Sequence, residues 1–398
     1  MNKLLPRENY KTLGQHVDGL VHQWALRRTL VDSPVVKLSD LIRNDRRLQG
    51  QLDGLALFPS VVVETLVDQT AGSGDCDGRF ATFSSHHANP DRAAASLVFD
   101  AETRHVLEEV FAAFACFGRV SEIPSAGLIS RQGVLKLLDY NGIAGMQTDV
   151  HTRLRSAVLR REVQRSKPVL IPALQDPDPA VRFAAAWSAS LLGLPEGPPV
   201  LQTFTQRPGD QADRAREILA RRLDPQEIRH WHRQLADCPE RINYASRIAG
   251  ALGDPTLIPW LLERMDHPIY ARAAGEAFSL ITGADLPRLD ISLPNFYIGP
   301  SDDPDDPNVD LDPDENLPIP HRAKVAHWWT KNRHRFTPGQ RYLLGHPITR
   351  ESAIHALKHG YQRQRAAAAI ELAILSPGQP MFDVTAPGFR QQKLLASM

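Results

Sequence analysis

At 398 residues the chain has room for roughly two to three globular units of about 150 residues each. Lys plus Arg and Asp plus Glu both number 46, a zero formal balance that argues against a general binder of nucleic acid or of anionic membranes. Cys76, Cys116 and Cys238 form no CxxC, the first residues lack a signal-peptide core, and no apolar run nears the ~18–20 residues that span a bilayer, so the expectation is a reduced, cytoplasmic protein.

Near the N-terminus Leu13, Val17, Leu20, Val21 and Trp24 share one face of a 3.6-residue period. A second run after Pro34 carries Leu38, Leu41, Ile42, Leu48, Leu52 and Leu55, with Gly54 and Pro59 at its end. Two such helices on a short connection should pack antiparallel, because neither buries its stripe alone. Residues 1–66 are read as this N-terminal helical region. Residues 67–100, with Gly72, Gly74, Gly78 and Pro90, read as a loop-rich connector. Helix resumes near 101–118, where Val106, Leu107, Val110, Phe111, Phe114 and Phe117 make a broad apolar stripe.

The most legible stretch is VLIPALQDPDPAVRFAAAWSASLLG, residues 169–193. It predicts a helix to Leu174, a turn at Gln175–Asp178 and a second helix. Asp178 is its N-cap and Pro179 its first residue, where no amide donor is missed. Ala184, Ala185, Ala186 and Ala189 make a face that a neighbouring helix can approach closely. The pattern returns at 257–283. Ile171-Pro172 matches Ile258-Pro259, Val181-Arg182 matches Ala271-Arg272 and Gly193 matches Gly283, at offsets of 87 to 90 residues. Two periods of about 43–45 residues fit an armadillo or HEAT unit, with a divergent copy across 208–250. The expected fold class is therefore all-α. It is a HEAT-like α-solenoid of stacked helix hairpins over 101–283, between the N-terminal helical segment and a C-terminal helical cap.

Composition changes sharply after Gly283. Between Leu289 and His321 lie nine acidic residues, seven prolines and no basic residue, which makes 284–320 an acidic, Pro-rich loop. The cap, 321–398, opens with HRAKVAHWWTKNRHRF. There Val325, Trp328, Trp329 and Phe336 share a face, while Arg322, Lys324, Lys331, Arg333 and Arg335 supply only positive charge. The acidic loop is expected to fold against this helix or a neighbour. Helices follow at about 350–358 and over Gln362–Leu375, and the last residues, PGQPMFDVTAPGFRQQKLL, read as extended.

Motifs for chemistry mostly fail. An EF-hand counted from Asp310 gains Asp312 and Asp314, but Glu315 stands where glycine is needed and His321 where the bidentate glutamate belongs. Glu351, His355 and His359 at i, i+4 and i+8 offer metal ligands on one face, without the HExxH pattern. AGSGDCDG lacks the GK[ST] ending of a P-loop, no GxSxG occurs, and Cys76 has no evident activating base. No catalytic, cofactor or metal residue is assigned, and the chain reads as a non-enzyme. One candidate patch remains: Trp328, Trp329, Arg333, Arg335, Arg341, Arg363 and Arg365, with the acidic Asp312, Asp314 and Glu315. Either it contacts a partner, or the tryptophans are core and the arginines pair with the acidic loop. Zero net charge leaves little long-range attraction for a polyanion, which favours pairing over nucleic acid.

ALGDPTLIPWLLERMDHPIYARAAGEAFSLITGADL (251–286), LDPDENLPIP (311–320), VAHWWTKNRHRFTPGQRYLLG (325–345), QRQRAAAAIEL (362–372) and FDVTAPGFRQQKLL (382–395) resemble a family of HEAT-repeat proteins encoded beside type VI secretion genes. WALRRTLVDSP and LSDLIRNDRRLQGQLDGL near the N-terminus are similar too. The family's function is unassigned, and no catalytic residues transfer with the resemblance. It implies a cytoplasmic protein that accompanies spike, tip and toxic effector genes. Its partner would be an effector, an effector chaperone or a spike-tip protein. Two roles follow: loading an effector onto the spike, or neutralising it in the producing cell. Stacked hairpins suit both, since they build a long concave surface for another polypeptide.

Overall fold

The structure, a computed structural model, describes residues 7–56, 163–206, 209–294, 314, 316–377, 379 and 381–398. The expectations for the 67–100 connector, the helix near 101–118 and most of the acidic loop, including Asp312 and Glu315, lie outside these residues. The chain divides into two compact units.

In the first unit α1 (Arg7–Asp32) packs against α2 (Leu38–Ala56), as the two stripes require. Val17, Leu20 and Trp24 are buried on one helix, and Leu41, Leu48, Leu52 and Leu55 on the other. The polar side of this core is an ion pair: Arg27 Nε donates to Asp45 Oδ1 at 2.7 Å, with both residues buried. The C-terminal segment, expected to be extended, forms a further helix over Gly388–Ala396, called α14 below. Its start is fixed from a distance, because the backbone N–H of Gly388 donates to Asp45 Oδ2 at 2.6 Å and Arg27 Nη2 donates to the carbonyl of Thr385 at 2.7 Å. A carboxylate beside a helix N-terminus is favourable, since the first turn's N–H groups lack helical partners. Gly388 is required there: a Cβ would lie 2.6 Å from Ile42 Cγ1.

The second unit is the solenoid. Among the described residues four helix pairs follow one another: α3 (Val163–Ala173) with α4 (Pro179–Leu191), α5 (Gly197–Phe204) with α6 (Asp210–Arg222), α7 (Pro225–Ala236) with α8 (Ile242–Leu252), and α9 (Ile258–Arg264) with α10 (Pro268–Thr282). The second helices α4, α6, α8 and α10 each pack on the next. They begin at 179, 210, 242 and 268, in steps of 31, 32 and 26 residues. The offset of 87 to 90 residues therefore spans three short units, not two of about 43–45. The intermediate units hide because their punctuation differs. α6 opens from Gly209, α8 from a 3-10 turn at Pro239–Arg241, and the Asp-Pro signal at Asp224-Pro225 starts a first helix instead of a second.

At Asp178 the expected cap is present: its Oδ1 accepts the N–H of Ala180 at 2.9 Å, with Pro179 at the first helical position. Asp178→Ala is expected to lower stability by about 1 kcal/mol, the usual cost of a lost N-cap, read as a lower midpoint in urea unfolding.

One apolar seam runs through the stack. Leu170, Val181, Phe183, Ala186, Ala189 and Leu201 fill its first part, Ile228, Leu235, Ala245 and Ile248 the middle, and Ile258, Leu261, Ala274, Phe278 and Ile281 the last. The small residues predicted for α4 recur where helices come closest, and at Gly250 a Cβ would sit 3.2 Å from the Cβ of Ala277. Behind the last pair, α11 (Arg322–Asn332) lays Val325, Trp328 and Trp329 against this core. A two-stranded hairpin follows, β1 (Tyr342–Leu343) with β2 (His346–Pro347), then α12 (Arg350–His359) and α13 (Gln362–Leu375). The hairpin closes the C-terminal ends of two solenoid helices. Tyr342 N–H donates to the carbonyl of Gly253 at 2.8 Å, Leu344 N–H to Leu280 at 2.7 Å and Gly345 N–H to Ile281 at 3.0 Å. These are carbonyls that a helix end leaves without internal partners.

Candidate functional site

The charged residues of the second helices α6, α8 and α10 share one side of the row. Asp213, Arg216 and Glu217 of α6, Tyr244, Arg247 and Ile248 of α8, and Ala273, Glu276 and Ala277 of α10 occupy i, i+3 and i+4 positions, so each triplet lies on one helix face. Together they border a cleft of about 350 Å³, completed by Asp314 and by Arg363 and Ala367 of α13.

Its wall is an alternating ion-pair chain. Asp213 accepts from Arg216 at 2.7 Å and from Arg247 at 2.9 Å. Arg247 donates onward to Asp314 Oδ2 at 3.0 Å, and Arg363 to Asp314 Oδ1 at 3.3 Å. Arg272 Nη1 holds the same loop by its backbone, donating to the carbonyls of Asp314 at 3.4 Å and Leu317 at 3.0 Å. Burial alone would lower the pKa of Arg247, but the carboxylates of Asp314 and Asp213 outweigh it and raise the value. Asp314, only 5% exposed, thus ties the acidic loop to α8 and α13 at once. The Arg216 guanidinium also lies 3.9 Å from the centroid of the Tyr244 ring.

A second charged cluster stands behind the cleft. Glu371 of α13 is 2% exposed and meets Arg341 at 2.5 Å and Arg221 at 3.2 Å. Arg341 also donates to the carbonyls of Leu252 at 2.8 Å and Ala251 at 3.2 Å, the negative end of α8. Burial lowers the pKa of Arg341, with Glu371 opposing and Arg221 adding to the fall.

The residues expected to form one patch occupy several places. Trp328 and Trp329 pack edge-on against Phe278, at ring-centroid distances of 5.7 and 6.4 Å, and Trp329 also meets Phe336 at 5.3 Å. Both are half-buried against the core. Arg333 and Arg335 sit exposed on a 3-10 turn after α11. Of the arginines expected to meet the acidic loop, Arg363 does so through Asp314, while Arg341 takes Glu371. Arg365 is fully buried and donates to the carbonyl of Leu357 at 2.8 Å and to the side chain of Gln362; burial brings its pKa down to about 10. The basic helix pairs elsewhere: Arg322 with Asp266 at 2.6 Å and Lys324 with Asp290 at 3.0 Å. Asp213, Arg247, Arg272, Glu276 and Glu371 escaped the sequence reading. Their signal was charge set at helical spacing among small residues, as in YASRIAGAL and ARAAGEAF, which looks like an ordinary solvated face.

His355 of the Glu351/His355/His359 face lies 4.6 Å from His359, with the rings tilted, and meets His346 at 5.3 Å between ring centroids. Among the described residues no three His, Cys, Asp or Glu side chains converge to hold a metal ion. No described helix is long and apolar enough to cross a membrane.

His232 is buried edge-on against Trp260 at 4.6 Å, and neither ring nitrogen has a hydrogen-bond partner. Burial first, then the charges of Arg233 and Arg264, push its pKa from 6.5 down to about 4. Between those values the unfolded chain binds a proton that the folded chain refuses, so stability falls as pH drops below about 6.5 and levels off near pH 4. The loss amounts to roughly 3 kcal/mol. His232→Leu should flatten that part of the pH profile of urea unfolding, and an unchanged profile would count against a neutral buried ring.

Residues 150–222 match the profile of HEAT repeats, a span that includes α3 to α6, and α7 to α10 continue the same stacking. Comparison with curated proteins and with solved structures gave no match. Fold and profile together define the class: an all-α, HEAT-like solenoid, an architecture typical of non-enzymatic scaffolds for protein–protein interaction.

Proposed function

We propose that this chain is a cytoplasmic protein-binding scaffold of type VI secretion, an adaptor or co-chaperone that helps load an effector onto the spike. The observation that carries the binding role is the row of α6, α8 and α10, whose half-buried and buried side chains line one charged cleft over stacked hairpins. The secretion setting rests on the resemblance of 251–286, 325–345 and the C-terminal segments to proteins encoded with those genes. Within those stretches, Gly253 and Gly283 seat the hairpin, and Arg272 anchors Asp314, so the similar residues are ones that build the cleft and its support.

Deletion in a strain carrying the secretion cluster tests the role. Loss of an adaptor abolishes delivery of the effector and leaves the producing cell healthy. Self-intoxication on deletion, with delivery intact, would instead make the chain an immunity protein that neutralises its cognate effector.

A further inference from the structure

Within the cleft nearly all charge is committed. Asp213 and Asp314 each bind two arginines, and Arg221 lies between Glu217 and Glu371. Glu276 is the exception: among the described residues its carboxylate accepts no hydrogen bond and has no cation within ion-pair distance. It stands where two cavities meet, the 350 Å³ cleft on one side and a space of about 50 Å³ beside Pro34, Val35 and Tyr361 on the other. Water reaches part of it, yet protein surrounds it closely. Burial raises its pKa; Arg363 opposes this and Asp314 adds to it. A half-buried carboxylate without a partner loses part of its hydration, and a cation brought to it relieves that cost.

We propose that the cleft seats a lysine or arginine side chain of a partner polypeptide, with Glu276 as its counter-charge. This rests on the protein-binding reading of the same cleft and names the chemistry of the partner. Beside Glu276, the half-buried Leu280 offers apolar surface to the methylene stem of such a side chain, which buries its stem and directs its head to charge, while Ile248, Ala273 and Ala277 line the same cleft almost fully covered. An acidic partner group fits less well. Arg216, Arg247 and Arg363 along its wall are already bound to Asp213 and Asp314, and Arg221 to Glu217 and Glu371.

Short fluorescent peptides with one central arginine or lysine between apolar residues, titrated onto the full-length protein, provide the test. Matched peptides carry citrulline, norleucine or glutamate at the centre, and agmatine serves as a free small cation. The cationic peptides are expected to bind about ten- to a hundredfold more tightly than the neutral ones, the advantage of a charge-assisted pair. Glu276→Gln should erase that advantage without lowering the melting temperature, and Glu276→Asp should reduce it. Failure of the cationic peptides to bind would overturn the proposal, as would equal binding of citrulline peptides, tighter binding of the glutamate peptide, agmatine binding as tightly as the peptides, or no effect of Glu276→Gln. A complex with a secretion protein that survives Glu276→Gln would sink this assignment while leaving the scaffold reading in place.

Discussion

Glu371→Ala is expected to destabilise the protein by about 3–5 kcal/mol, a large share of the roughly 5–15 kcal/mol that holds a domain folded. Glu371 is the shared counter-charge of Arg221 and Arg341, and the Arg221 side chain is 1% exposed. Removing the carboxylate leaves that guanidinium with one remaining carboxylate, Glu217 at 3.2 Å, and leaves Arg341 held only by helix-end carbonyls. The like charges then face each other out of water. Arg341→Met should cost less, because it removes one of two cations and keeps much of the side-chain bulk. Urea unfolding of the two variants separates these outcomes. A Glu371→Ala midpoint indistinguishable from that of the parent would mean that the triad contributes nothing.

Gly283→Ala should cost roughly 3 kcal/mol or more, because two penalties act on one atom. Gly283 ends α10 at φ +73°, a left-handed conformation that costs an L-residue about 1–2 kcal/mol. A Cβ there would also lie 2.5 Å from the carbonyl oxygen of Leu344, which is backbone and cannot swing aside. Relief requires the hairpin to lift, breaking the bonds from Leu344 and Gly345 to the end of α10. Gly253, at φ +75° with its Cβ position against the Tyr342 carbonyl oxygen, repeats the arrangement one repeat earlier and should respond in the same way. Thermal melts of the two alanine variants check this, and a shift no larger than that of Asp178→Ala would show that the hairpin is not seated on these glycines.

Local chemistry made several elements legible. The period of Val17, Leu20 and Trp24, the Asp178-Pro179 start and the alanine face of α4 each follow from residues close in sequence. The repeat length was misread because caps mark helix starts without saying whether a start opens a first or a second helix. The tail failed for a related reason. α14 begins at Gly388, and its first N–H group is satisfied by Asp45, 343 residues away, so no local capping signal is needed. The cleft was least legible of all. Asp213, Arg247 and Asp314 are separated by 34 and 67 residues and acquire meaning only when α6, α8 and the loop come together. For Trp328 and Trp329 the sequence left a contact surface and a core position both open, and the side chains pack onto Phe278.

The most direct measurement of the scaffold role is co-purification of the tagged full-length protein with type VI effectors, effector chaperones and spike-tip proteins, each expressed with it in turn and followed by size-exclusion chromatography. A stoichiometric complex with an effector, effector chaperone or spike-tip protein, broken by reversing the charge of Arg247 in the cleft but not by altering exposed Arg333, is the expected result. Failure of every such product to bind would contradict it, and so would a complex equally insensitive to both changes.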